Sequence, residues 1–378
     1  MVAPLAGILL AQALTIAEQG VEAALEHPPD VACLAGAGLL LWQLATVRGS
    51  KTVVRFFPHD ATHLEPVLAL ALYLEKAARR SSAGASASPE APAGGTAVTD
   101  LWQAETVSLL WLSMLVLAPF DLSSLDWNAG EEEEGDEQEK APSDARRASP
   151  PEDLLAYDPP ASAPLLDRLL GLGMRCLARP TRCREVSARG LGALLARKDA
   201  SPARDTFEAW CRSVLLEGGA SSQALPSAAG EVSRAGALQA LACVLRSGEP
   251  TLVKSLARTA VVGALSTPAS ANLALERKVR VKVLQRAMLA LLSAEPFAAE
   301  QTPFLDAPLN ALLAGLRDRD TIVRWSAAKG AARVCAKLPA SVADQVLAEL
   351  LGGAAGEGEE NERALGEESG TDDDWASL

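Results

Sequence analysis

The sequence predicts an all-α protein built from helix pairs stacked in series. Three observations predict it. Of the 378 residues, 49% are hydrophobic but only 4% aromatic. Alanine and leucine lead that share, and both lose little side-chain freedom in a helix, while strand-forming aromatic and β-branched residues are scarce. Short segments with apolar residues every three or four positions recur along the chain, separated by loops of small and polar residues. Finally, the stretch "APLNALLAGLRDRDTIVRWSAAKGAARVCAKLP" (Ala307 to Pro339) contains two such segments joined by a tight turn.

At the start, "MVAPLAGILLAQALTIAEQG" is apolar but has no basic region before it, so a signal peptide is only a minor reading. Val31 to Val47 and Thr106 to Phe120 are uncharged. Both are shorter than the roughly 18 to 20 residues that cross a bilayer, and they are expected as helices buried on most sides, without membrane insertion.

Next comes "TVVRFFPHDATHLEPVL". His59 and His63, with Asp60 between them, resemble the H-E-x-x-H zinc signature. Zinc chemistry needs both histidines on one unbroken helix, a glutamate as base and a third ligand. Here Pro58 and Pro66 flank the pair, Asp60 is one methylene short, and His27 is the only other histidine. The expected structure is an Asp-capped turn between an extended "TVVRFF" and a helix beginning near Glu65.

Helical patterns are then expected at Glu65 to Ala78, Leu101 to Leu117, Ala161 to Ala178, Glu185 to Arg197 and Val232 to Arg246. They continue at Thr251 to Leu265, Leu273 to Ser293, Ala307 to Arg317, Thr321 to Leu338 and Val342 to Leu351. Long loops fall at Arg79 to Asp100 and Glu217 to Glu231. The net charge of −13 is uneven: residues 128–153 carry ten acids against three bases, and 352–378 nine against one, leaving the rest near +2. Both acidic runs are expected to be disordered, since they cannot bury enough apolar surface to offset ordering. The expected organisation is helical repeats over 1–127, an acidic linker over 128–153, further repeats over 154–351 and an acidic segment over 352–378.

In the clearest pair, Leu309, Leu312, Leu313 and Leu316 form one stripe, and Val323, Ala327, Ala331, Val334 and Leu338 form the other. Asp320 is placed to cap the second helix and Pro339 to close it. The pattern Asp320, Val323, Arg324, followed by Trp325, resembles the second helix of a HEAT repeat, and "REVSARGLGALLARKD" (Arg184 to Asp199) is a weaker copy. Such pairs stack because one pair cannot bury its apolar face alone. The fold class is therefore a HEAT/armadillo-type helical repeat solenoid, with a plain helical bundle as the alternative. Trp325 is expected partly buried between neighbouring repeats.

Enzyme signatures are absent. Six dispersed cysteines make no C-x-x-C, which fits a reducing cytosol. There is no P-loop or G-x-S-x-G, and "GLGMRC" and "GLGALL" lie inside leucine-rich helices rather than after strands. No catalysis, metal or cofactor is expected. Two basic ridges remain, Lys278, Lys282 and Arg286, and Lys329, Arg333 and Lys337, each spaced by four along a helix. With no aromatics interleaved, they are read as solvated faces or as sites for an acidic protein, not for nucleic acid.

Four stretches, "TVVRFFPHDATHLEPVLALAL", "SLLWLSMLVLAPFDLSSLD", "LERKVRVKVLQRAMLALL" and "LRDRDTIVRWSAAKGAARVCAKLP", resemble in the same order the N-terminal part of the tubulin-specific chaperone D (tubulin folding cofactor D) family. The resemblance covers roughly Thr52 to Leu351, and family members continue beyond the point where "GTDDDWASL" stands. It implies a non-catalytic scaffold that takes β-tubulin after chaperonin folding and works with tubulin folding cofactors E and C and an Arf-like small GTPase. It also implies a part in a complex that stimulates GTP hydrolysis by tubulin, in the cytoplasm with the microtubule cytoskeleton. A general helical-repeat adaptor without tubulin specificity is the alternative.

Overall fold

Two layers of helices, six in each, run side by side through the computed structural model, which describes residues 2–85, 101–130, 157–216, 228–266, 273–294, 302–348 and 350. The helices are α1 (Val2–Gln19), α2 (Val21–Glu26), α3 (Val31–Arg48), α4 (Ser50–Val53), α5 (Leu64–Ala85), α6 (Trp102–Leu115) and α7 (Leu165–Leu177). They continue as α8 (Cys183–Leu194), α9 (Ser201–Leu215), α10 (Ala228–Ser247), α11 (Pro250–Leu265), α12 (Ala274–Ala294), α13 (Thr302–Ala314) and α14 (Thr321–Cys335). A last helical run covers 340–348. No strand occurs among the described residues.

The first layer is α1, α5, α7, α9, α11 and α13, and the second is α3, α6, α8, α10, α12 and α14. Within a layer each helix touches the next, and each first-layer helix packs on its second-layer partner. The chain is thus an all-α repeat solenoid, more regular than its sequence spacing suggests. Helix stripes explain the stacking. In α1, Ala6, Leu9, Ala13 and Ile16 are buried, and in α14, Val323, Ala327, Ala331 and Val334. One core runs from pair to pair as far as α12, and the α13–α14 pair buries a second cluster against Val281 and Met288 of α12.

Close approach between helices uses glycines of α7 and α10. A Cβ on Gly173 of α7 would lie 2.6 Å from a Leu191 methyl of α8. A Cβ on Gly236 of α10 would stand 2.2 Å from the Leu177 carbonyl oxygen of α7, so the two backbones meet only because Gly236 has no side chain. Gly173 serves packing within a pair and Gly236 packing between pairs.

Several expectations are corrected. "TVVRFF" is not extended: it forms α4 and a 3₁₀ turn, Val54–Phe56, with Val53 and Phe57 buried. Tertiary packing overrides the β-branched preference there. Helix α5 starts at Leu64 and continues through Ala85, taking in the start of the expected Arg79 to Asp100 loop. Pro66 lies in its first turn, where no N–H is needed, so it does not break the helix. Helix α9 was not foreseen, although Ala203, Phe207, Trp210, Cys211 and Val214 bury one stripe of it. Helix α3 reaches 18 residues and, like α1, is long and apolar enough to cross a membrane by length and composition. It is not buried on most sides, since Leu39, Leu40 and Val47 are exposed. Helix α6 does meet that expectation, with Trp111 fully buried. Its indole N–H donates to the Pro58 carbonyl at 2.9 Å, and Phe57 meets the ring edge-on at 5.3 Å. Both acidic runs, from residue 131 and from 352, lie outside the described residues.

Candidate functional site

Cations recur along the later helices of the second layer. Helix α8 contributes Arg184 and Arg189, α10 Arg234 and Arg246, α12 Lys278, Lys282 and Arg286, and α14 Lys329, Arg333 and, just past its end, Lys337. The stacking of α8, α10, α12 and α14 brings them together. The thiol of Cys243 on α10 is pushed up by burial, while Arg286, Arg246, Arg189 and Lys282 all act to lower it. Four cations from three helices therefore surround one half-buried sulfur.

Burial lowers the pKa of Lys282, and repulsion from Lys278 and Arg286 lowers it further. Burial also lowers Arg286, with Arg246 and Arg333 adding repulsion. Arg286 reaches back to donate to the Ala242 carbonyl. The ridge Lys278, Lys282, Arg286 is consequently wedged half-buried between neighbouring helices, and reading it as a fully solvated face is corrected. The ridge Lys329, Arg333, Lys337 is exposed, as expected. Glu185, 3.3 Å from Arg189, and Glu276, beside Arg184, are the acids these cations meet.

A cleft of about 1160 Å³ opens along the same layer, lined by residues of α3, α6, α8, α10 and α12. At one end the Arg182 guanidinium lies 5.6 Å from the Trp42 ring centre and 5.5 Å from that of Trp102. Leu238, Leu275 and Val279 supply apolar wall. Nη2 of Arg184 and Nε of Arg189 are buried there with no hydrogen-bond acceptor. Such donors are costly to leave unmade, so this face holds unspent capacity for an anionic group.

The HEAT signature is placed differently from expectation. Val323 is buried as expected. Asp320 stands at the N-cap of α14, but its side chain makes no capping bond; it takes an ion pair from Arg277 of α12 instead. Arg277 also grips Asp318 at 2.8 and 3.1 Å. Arg324 donates to the Asp318 and Arg319 carbonyls, tying the turn to the helix. Trp325 is 64% exposed, not packed between repeats, and Lys329 Nζ sits 4.7 Å from its ring centre. An aromatic therefore does share the exposed basic ridge.

His59 and His63 lie in a turn ahead of α5 and not on one unbroken helix. Asp60 accepts from the Thr62 N–H at 3.0 Å, the Asp-capped turn expected, and His59 Nε2 donates to the Arg55 carbonyl at 2.9 Å. Among the described residues no group of three or more His, Cys, Asp or Glu could hold a metal ion. The cysteines are free, and Cys176, Cys183 and Cys211 are buried thiols pushed up by desolvation.

The family model described as tubulin-specific chaperone D-like, ARM repeat, matches residues 9–215, more than half of the chain. A second model, tubulin-specific chaperone D-like, ARM repeats, matches residues 293–366. No solved structure matched the chain. The first match covers α3, α6 and α8 of the second layer, and the second covers α14.

Proposed function

This chain belongs to the tubulin-specific chaperone D-like ARM-repeat family, and from that premise we propose that it is a non-catalytic scaffold that binds β-tubulin. In this reading it helps assemble or disassemble the α/β-tubulin heterodimer with tubulin folding cofactors E and C and an Arf-like small GTPase. It acts as part of a complex that activates GTP hydrolysis by tubulin, in the cytoplasm and with the microtubule cytoskeleton. No cofactor and no membrane insertion belong to it. The observation that carries the reading is the family match over residues 9–215.

The second layer supports it physically. Tubulin is an acidic protein, and a face rich in arginine and lysine would attract it over distance. The wall formed by Leu238, Leu275 and Val279 offers apolar contact beside the cations, which suits a protein better than a nucleic acid. Long-range attraction sets mainly how fast partners meet, and apolar burial sets how long they stay.

Capture from cell extract with the purified chain tests the reading: β-tubulin should dominate the bound fraction. If other proteins dominate and tubulin is absent, the chain is a general adaptor and tubulin specificity fails.

A further inference from the structure

Four arginines line the cleft of the second layer: Arg182 at the N-cap of α8, Arg184 and Arg189 within that helix, and Arg234 on α10. Among the described residues two acids, Glu185 and Glu276, share the lining with them. We propose that this cleft takes up one extended acidic peptide, laid across α3, α6, α8, α10 and α12, with carboxylates on Arg184 and Arg189 and apolar side chains on Leu238 and Val279. The inference rests on reading the second layer as a face for an acidic protein, but not on that protein being tubulin.

Three observations carry it. The first is hydrogen-bonding capacity inside the cleft. Arg184 Nε donates to the Arg179 carbonyl at 3.2 Å, and Arg189 Nη2 donates to Glu185 at 3.3 Å, so each guanidinium is already held in place by one bond. Their buried Nη2 and Nε groups, respectively, meet no acceptor among the described residues. A buried cationic N–H left unmade is costly, and a carboxylate accepts from it more strongly than a neutral group does. Burial lowers the pKa of Arg184 and Glu276 opposes this, so the charge has room for a second carboxylate. The second observation is the rim. Trp42 and Trp102 meet edge-on with ring centres 4.9 Å apart, and the Arg182 guanidinium lies over both. The rings fix where an exposed cation stands without neutralising it.

The third is size and pattern. The cleft's 1160 Å³ exceeds the roughly 300–1,000 Å³ that a single small ligand fills. Its five helices lie side by side, and at about 8–10 Å between neighbouring axes they span about 30–40 Å, which an extended chain covers in about ten residues. Leu238, Leu275 and Val279 give such a chain apolar wall between the cations. A nucleic acid fits this lining less well. Glu185 and Glu276 interrupt the arginines and would repel a continuous phosphate backbone, whereas a peptide can set a carboxylate against each arginine and an uncharged side chain against each acid.

Fluorescence anisotropy with the purified full chain tests the proposal. The probe is a fluorescein-tagged peptide of about ten residues that alternates glutamate with leucine and serine, and its counterpart carries glutamine for glutamate. The glutamate probe should bind, and the glutamine counterpart should bind about tenfold more weakly or worse. Arg184→Gln with Arg189→Gln should weaken the probe by a similar factor. Reversing the α14 ridge with Lys329→Glu, Arg333→Glu and Lys337→Glu should change it less than about twofold at physiological salt, where distant charges are screened. Because Arg184 also holds the Arg179 carbonyl, a second variant uses exposed positions, Arg182→Gln with Leu275→Ser. It should weaken the probe while leaving the unfolding midpoint unchanged. Probe binding lost in the ridge variant but kept in both cleft variants would put the acid-binding surface on α14 and overturn the proposal. So would equal affinity for a thymidine oligonucleotide of the same length, or no binding of either peptide. Tubulin missing from the captured fraction while the probe still binds would remove the proposed function alone, and tubulin captured by a chain that ignores the probe would remove the cleft alone.

Discussion

Arg168 of α7 holds Glu65 of α5 with two parallel contacts, Nη2 to Oε1 at 2.5 Å and Nη1 to Oε2 at 2.9 Å, and both side chains are nearly buried. Its guanidinium also reaches Asp126 at 3.1 Å, in the loop after α6. One arginine thus joins the second and third pairs. Removing it leaves two carboxylates stranded in a site with little water, so Arg168→Ala is expected to cost about 3–5 kcal/mol. Urea unfolding measures it. A loss below about 1 kcal/mol would mean the pair is ornament to the packing. Combining Arg168→Ala with Glu65→Ala should lose less than the sum of the two single changes.

Trp325 tests the difference between exposure and packing within one turn of α14. An exposed cation–π contact is worth about 0.5–1 kcal/mol, so Trp325→Ala should shift stability by no more than that. Val323, two residues before it and buried, should cost about 2 kcal/mol as Val323→Ala. If thermal unfolding ranks the two the other way round, the ring is packed after all. Loss of tubulin capture by Trp325→Ala with an unchanged midpoint would make it a contact residue.

Glu105 gives a pH signature. Burial raises its pKa above the ordinary 4.5, and the Arg179 contact at 2.6 Å only partly opposes this. The folded state therefore keeps its proton to higher pH than the unfolded chain does. Between the two pKa values the folded state binds more protons, so this group's contribution to stability falls as pH rises from about 4.5 to the raised value, and is flat below and above. Glu105→Gln should remove that slope. Comparing urea midpoints of the two proteins from pH 4 to 7 checks it; a wild type that gains on the variant as pH rises would reverse the sign.

Much of the scaffold was legible in the sequence and little of the face was. Helices α5 to α8 and α10 to α14 announce themselves through leucine and alanine at three- and four-residue spacing, because that spacing is what one buried stripe requires. Helix α9 escaped because Arg204, Asp205, Glu208 and Arg212 alternate with its apolar stripe and Pro202 reads as a stop, although proline is well placed in a first turn. The ties between pairs were invisible. Glu65 with Arg168 and Glu105 with Arg179 are 103 and 74 residues apart, a separation that no local pattern encodes. The two basic ridges were found one at a time by spacing along a helix. That Arg286 and Arg333 face each other depends on how α12 and α14 stack, which only the fold provides.

Those two arginines should behave differently, and the contrast separates structure from recognition. Arg286 is half-buried and donates to the Ala242 carbonyl, so Arg286→Ala should lower the unfolding midpoint: it strips a backbone acceptor of α10 of its extra partner and opens space between α10 and α12. Arg333 is exposed and close enough to repel Arg286, so Arg333→Glu should leave stability within about 0.5 kcal/mol or raise it slightly. Its effect belongs to encounter. With exposed charges screened beyond about 8 Å at physiological ionic strength, Arg333→Glu combined with Lys329→Glu and Lys337→Glu should slow association with tubulin several-fold at low salt, and the difference should close as salt is added. Stopped-flow mixing reads the rate directly. If the triple reversal associates at the wild-type rate in low salt, the α14 ridge is a solvated face. If instead Arg333→Glu unfolds the chain as readily as Arg286→Ala, the ridge is part of the packing between repeats.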